Sequence, residues 1–157
     1  MTIVYSKLDR LFQRADQQWE QGNLRSAFRL FLAAAKGGDP GCQTNLGTFY
    51  TSGIGVKPNR DRGLYWYRRA YRQGCGGAAA NIGDVFRKEN KPKQAMAWFE
   101  RAVKLGFEDS KLDIAKIYLA NNDNKQAVRY LKQVQKAGPH IAEASREEAR
   151  NLLKHLS

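Results

Sequence analysis

Acidic residues, cysteine, histidine and long apolar runs are all scarce in this chain of 157 residues. It holds 15 Asp plus Glu against 27 Lys plus Arg, for a net charge of +12. Two Cys and two His leave little material for a metal site, and no Cys or carboxylate cluster has zinc spacing. No cofactor is therefore expected. A secretory signal needs about 7–15 consecutive apolar residues and a membrane span about 20. Neither run occurs, which predicts a cytoplasmic chain that inserts into no membrane. In that compartment Cys42 and Cys75 read as reduced thiols, and a bridge stays open if helices bring them together.

Catalytic signals are equally thin. Both histidines, His140 and His155, lie in the terminal segment, where a solvated role suits them. No Ser sits in a nucleophile elbow. Gly53-Ile54-Gly55 follows a helical pattern, whereas a phosphate-binding glycine loop needs a strand before it. No pair of carboxylates shares an inferred face for acid–base work. The chain is expected not to be an enzyme. Apolar residues at 42% and charged residues at 27% fit a globular fold, and the length fits one domain. The basic charge raises nucleic acid, anionic membrane surfaces and acidic proteins as candidate partners.

What the chain does have is internal repetition. Small residues recur at Ala15, Gly47, Gly83 and Ala115, with gaps of 32, 36 and 32. A second register, Ala27, Gly63, Ala95 and Ala127, has gaps of 36, 32 and 32. Both registers share one insertion of four residues. Phe31, Tyr67, Phe99 and Leu131 follow the second register one turn later, and Ala34, Ala70, Ala102 and Val134 follow three residues after those. Spacings of four and seven put each set on one helix face. Strict alternation is absent, so strands are not expected.

The pattern predicts a helix–turn–helix unit repeated four times, over about 6–38, 40–76, 77–107 and 109–138, within one domain of 1–157. Ser6 and Asp9 form a capping-box variant at the first helix. Gly22-Asn23 and Asn121 to Asn124 turn the chain inside units. Gly37-Gly38-Asp39-Pro40, Gly74 with Gly76-Gly77, Gly106 and Gly138-Pro139 close them, and Pro92 suits a first helical turn. Residues 140–156 place Ile141, Ala144, Ala149, Leu152 and Leu156 near helical spacing, with His140 at the helix start. That segment reads as a capping helix, as the end of a stack requires.

The second unit carries a more specific motif. It runs L-G-T-F-Y-T-S-G-I-G-V-K-P-N from Leu46 to Asn59, then G-L-Y-W-Y-R-R-A from Gly63 to Ala70. This resembles the Sel-one-like repeat, a relative of the tetratricopeptide repeat with a longer inter-helix loop. Asn59 and Gly63 depart from that family's usual Asp and Ala. The first, third and fourth units lack G-x-G-V and are more similar to plain tetratricopeptide units. The resemblance implies an all-α fold, a right-handed α-α superhelix of about four helical pairs plus the cap. It also implies a bacterial adaptor or regulatory scaffold acting through protein–protein contact.

The family's inner-face positions map onto Asp16, Trp19 and Glu20 in the first unit and Thr44, Thr48 and Thr51 in the second. They map onto Asp84, Arg87 and Lys88 in the third, and Lys116 and Leu119 in the fourth. A peptide or protein segment is expected along this concave face. Two roles fit Trp19: an anchor for the partner, or packing against the next unit. Lys or Arg is missing from the positions that clamp a terminal carboxylate in some relatives, so that mode is not expected.

Charge is unevenly spread. Residues 57–72 carry Lys57, Arg60, Arg62, Arg68, Arg69 and Arg72 against Asp61 alone, a net +5. Residues 87–104 carry Arg87, Lys88, Lys91, Lys93, Arg101 and Lys104 against Glu89 and Glu100, a net +4. A basic patch for an acidic protein segment is the first reading. Nucleic acid is the alternative, because aromatics interleave the arginines. Trp66 and Tyr67 recur as Trp98 and Phe99, however, which is also what repeat packing produces. Oligomeric state is left open.

Overall fold

The structure, a computed structural model, describes residues 6–156. Among them are α1 (Lys7–Glu20), α2 (Leu24–Lys36), α3 (Pro40–Ser52), α4 (Arg60–Arg72), α5 (Gly76–Lys88), α6 (Pro92–Lys104), α7 (Ser110–Ala120), α8 (Asn124–Lys136) and α9 (Glu143–His155). No strand occurs among the described residues. The helices group into two compact units, one ending at Ala78 and the other beginning at Ala79.

In the first unit, side-chain caps set where α1, α3 and α4 begin. Ser6 Oγ accepts from the Asp9 N–H at 3.1 Å, and Asp9 Oδ2 accepts from the Ser6 N–H at 2.8 Å. This is the reciprocal capping box read in the sequence. The Ser6 hydroxyl holds the Asp9 carboxyl below its ordinary pKa. Asp39 Oδ1 accepts from the Cys42 N–H at 2.6 Å, with Pro40 in the first turn of α3. Asn59 Oδ1 accepts from the Arg62 N–H at 2.9 Å, so Asn serves as the α4 cap where the family usually has Asp.

Three residues join α1 to α2, α5 to α6 and α7 to α8, whereas seven join α3 to α4. The four-residue insertion lies in that loop, 53–59. Ile54 and Val56 from the loop pack on the unit's core with Ala15, Ala27, Phe31, Leu46 and Phe49. Between them Gly55 has φ +65°, and a Cβ there would lie 2.7 Å from the Leu24 carbonyl oxygen. Conformation and backbone contact both exclude a side chain at that position.

The repeated small residues make room for the repeated aromatics. A Cβ on Gly47 would sit 2.3 Å from the buried Tyr67 ring, and one on Gly83 would sit 2.7 Å from Phe99. Burying a ring of this size contributes roughly 1.5–3 kcal/mol. In the second unit Ala95, Phe99 and Ala102 lie buried on one face of α6, and Ala127, Leu131 and Val134 repeat the arrangement on α8.

The capping segment differs in detail from expectation. Its helix starts at Glu143, and His140 lies exposed in the turn before it. Ile141 is buried ahead of the helix, and Ala149, Leu152, Leu153 and Leu156 pack with it on Leu112, Ala115 and Leu131. Ala144 faces solvent. Gly76 and Gly77, read as closing the second unit, are the first two residues of α5. Their lack of side chains did not stop helix formation in a segment rich in Ala.

Candidate functional site

On α1, Asp16 and Trp19 are three residues apart and share a face. On α3, Asn45, Thr48 and Phe49 share a face at spacings of three and four. With Phe31 of α2 these residues line a hollow of about 250 Å³. The Trp19 ring meets Phe49 edge to face, with centroids 5.1 Å apart, and Phe31 meets Phe49 at 5.5 Å. Phe31 and Phe49 are buried, but Trp19 remains 38% exposed. The indole thus packs on Phe49 and leaves part of its surface open to solvent, combining the two roles that fit it. Asp16 is exposed at the rim.

The threonines are engaged inside the unit. Thr44 donates to the Pro40 carbonyl at 2.8 Å and lies 3.5 Å from Cys75 Sγ. Thr48 Oγ1 lies 3.0 Å from the Tyr67 hydroxyl while also lining the hollow. Thr51 donates to the Gly47 carbonyl at 3.0 Å and lies 3.3 Å from the same Tyr67 hydroxyl. A Cβ on Gly63 would touch the Thr51 methyl, so Thr51 belongs to the α3–α4 contact. Cys42 is buried and Cys75 half-buried, and both are free thiols. Burial, with the Asp39 carboxylate beside it, pushes the Cys42 thiol far above its ordinary pKa.

In the second unit the mapped residues form a charged cluster. Arg87 donates to Asp84 Oδ1 from Nη2 at 2.5 Å and from Nε at 3.1 Å. Lys116 pairs with Glu148 of α9 at 2.8 Å. Lys88 is exposed. Asp113 interacts with this group, and burial raises its carboxyl to about 6. The Asp84 and Glu148 charges push the same way, whereas Arg87 and Lys116 oppose them. Sequence reasoning missed Asp113 and Glu148. An acidic residue three before Lys116, between Leu112 and Ile114, was the available signal.

The basic residues divide between the units. In the first, Lys57, Arg62, Arg68 and Arg72 are exposed, and Arg60 pairs with Asp61 at 3.1 Å. Arg62 lies over the Tyr50 ring at 5.7 Å. Arg69 lies over Tyr65 at 5.8 Å and Trp66 at 5.6 Å, and donates to the Tyr65 hydroxyl at 3.0 Å. In the second, Lys91 pairs with Glu89 at 2.7 Å and Lys93 is exposed. Among the described residues no His, Cys, Asp or Glu group is arranged to hold a metal. Among them, too, no helix is long and apolar enough to cross a membrane.

The Sel1 repeat model matches residues 20–39 and 40–75, and the tetratricopeptide repeat model matches 77–105 and 108–139. The third and fourth units are thus tetratricopeptide-like, as read. Part of the first unit, read as plain tetratricopeptide, falls under the Sel1 model instead. No curated protein matches the chain. Among solved structures, a Sel1 repeat protein from Oxalobacter formigenes is 24% identical with a TM-score of 0.67, covering 80% of this chain and 56% of its own. A protective antigen of uropathogenic Escherichia coli displaying an SLR fold is 16% identical with a TM-score of 0.71, covering 96% of this chain and 38% of its own. MamA is 14% identical with a TM-score of 0.65, over 94% of this chain and 81% of its own. The chain spans little more than half of the first of these proteins and less of the second. At these identities the likeness concerns the fold, an all-α helical repeat. Repeats of these two kinds generally mediate protein–protein interaction and are typically non-enzymatic. With both repeat models matching in tandem from residue 20 to residue 139, the chain belongs to the Sel1 and tetratricopeptide repeat family.

Proposed function

We propose that this protein is a non-catalytic adaptor, and that the hollow at Trp19 seats a side chain of a partner's peptide segment. The observation that carries this reading is the half-exposed indole over a buried Phe31–Phe49 floor, with Asp16, Asn45 and Thr48 around it. Aromatic side chains in a packed pocket with a polar rim are the usual anchors of protein interfaces. Asp16 adds an acceptor for an N–H or a cationic group. Free Cys42 and Cys75 support the reading of a reducing, cytoplasmic compartment.

The test is affinity purification with the wild-type chain and Trp19→Ala, at two salt concentrations and with nuclease. A partner protein retained by the wild type should bind Trp19→Ala with an affinity lower by about 2 kcal/mol, the scale of an interface hot spot. Equal retention by a folded Trp19→Ala variant rejects the hollow as the site. A partner lost on nuclease treatment rejects the protein-binding reading. Since Trp19 is 38% exposed and Phe49 is buried in the core, truncating Trp19 should cost less stability than Phe49→Ala, for which about 3–5 kcal/mol is typical.

A further inference from the structure

The exposed side of α4 is a second surface, distinct from the Trp19 hollow. Gly63, Leu64, Trp66, Tyr67 and Ala70 face the core. Arg62, Tyr65, Arg68 and Arg72 face solvent, and Arg69 lies beside them. The one carboxylate of the helix, Asp61, is engaged by Arg60. Arg62, Arg68, Arg69 and Arg72 have no ion pair among the described residues. Arg68 and Arg72 stand one turn apart with like charge, an arrangement that weakens a helix unless an anion answers it.

Two of these guanidinium groups are held in place by rings. Arg62 lies over Tyr50, and Arg69 lies over Tyr65 and Trp66 while bonding the Tyr65 hydroxyl. A guanidinium held beside a ring, with N–H groups left over, loses less entropy on meeting a carboxylate. The exposure of the same rings bears on the ligand class. Single-stranded nucleic acid binds basic surfaces by laying bases on open aromatic faces. Here Trp66 is buried, and Tyr65, 49% exposed, is a single open ring with Arg69 bonded to its hydroxyl. The surface offers a cluster of cations around one open ring rather than the series of open rings on which successive bases stack.

We propose that the solvent face of α4 binds an acidic protein segment, whose carboxylates meet Arg62, Arg68, Arg69 and Arg72 around Tyr65. Arg62 and Arg72 are ten residues apart, about 15 Å along the helix axis. An acidic helix of roughly ten residues spans that distance with carboxylates one turn apart.

The test uses a labelled helical peptide with Glu at every third or fourth position, and a single-stranded oligonucleotide of equal net charge. Fluorescence anisotropy gives affinities, and NMR shift perturbation on the wild-type chain locates the peptide. The peptide is expected to perturb residues 60–72 and to bind at least tenfold more weakly to Arg68→Glu/Arg72→Glu. Arg25→Glu/Arg29→Glu, which changes exposed charge equally on α2, should cost less than threefold, and Trp19→Ala should change nothing. Arg69→Lys keeps the charge without the planar fork and should lose severalfold. The proposal is overturned by perturbations away from α4, by equal losses in the two charge-reversed variants, by no peptide binding, or by tighter binding of the oligonucleotide.

Discussion

Asp109 caps a helix 33 residues further along the chain. Its Oδ1 accepts from Ser145 Oγ at 2.6 Å and from the Ala142 N–H at 3.2 Å. Asp109 directly precedes α7, yet makes no side-chain bond to that helix. Ala142, at the cap position of α9, has no side chain to offer, so a residue from the preceding unit satisfies this helix end. Asp109→Ala is expected to lower stability by about 1 kcal/mol, the usual cost of a lost cap, and to loosen α9 in particular. Urea unfolding and amide exchange across 143–155 measure the two effects. An intact α9 exchange profile in Asp109→Ala would contradict the assignment.

Gly47 and Tyr67 are matched in size. Gly47→Ala drives a Cβ to within 2.3 Å of the ring, and overpacking of this kind costs about 1–3 kcal/mol. The fourth unit pairs Ala115 with Leu131 at the same positions, both fully buried. Gly47→Ala combined with Tyr67→Leu should therefore cost less than the two single changes added together. Chemical denaturation of the four variants forms the cycle. Strict additivity would mean that the two sites do not share the space.

Asp113 should tilt the pH dependence. Its carboxyl is raised from 3.8 to about 6 in the folded protein, so between those values the native state holds a proton that the unfolded state has released. The contribution of this group to stability is full below about pH 4 and falls as pH rises through 6. Asp113→Asn keeps the shape, removes the titration, and should stabilise the protein at pH 7 more than at pH 4. Thermal melts of both variants across that interval test the sign. An unchanged slope would place the titration elsewhere.

The two thiols should react at different rates. Cys42 is fully buried with its ionisation suppressed, whereas Cys75 is partly open beside Thr44. A thiol reagent is expected to modify one cysteine quickly in the native chain and both after unfolding. Peptide mapping should find the early adduct on Cys75. Early modification of Cys42 would show that α3 opens readily.

Helix content, the four units and the long loop were legible because their causes are local. A small residue and an aromatic or Leu one turn on recur at fixed spacing, caps at Ser6, Asp39, Asn59 and Asp123 open four of the helices, and each acts within one or two turns of chain. Gly53 to Val56 announced the long loop for the same reason: two glycines and two apolar residues set its shape and anchor. The resemblance carried by Leu46 to Ala70 reached the family by that route. The functional details followed other rules. Whether Trp19 packed or opened depended on Phe49, thirty residues away. Asp113 became a half-buried acid with a raised pKa only where other helices cover it and bring up Asp84 and Glu148, and Asp109 found its partner on another helix. Arg62 of α4 looked like one more surface charge until folding brought the Tyr50 ring of α3 beneath it. Spacing along a chain sets which residues share a face, but burial and electrostatics depend on what is brought opposite that face, and only folding sets that.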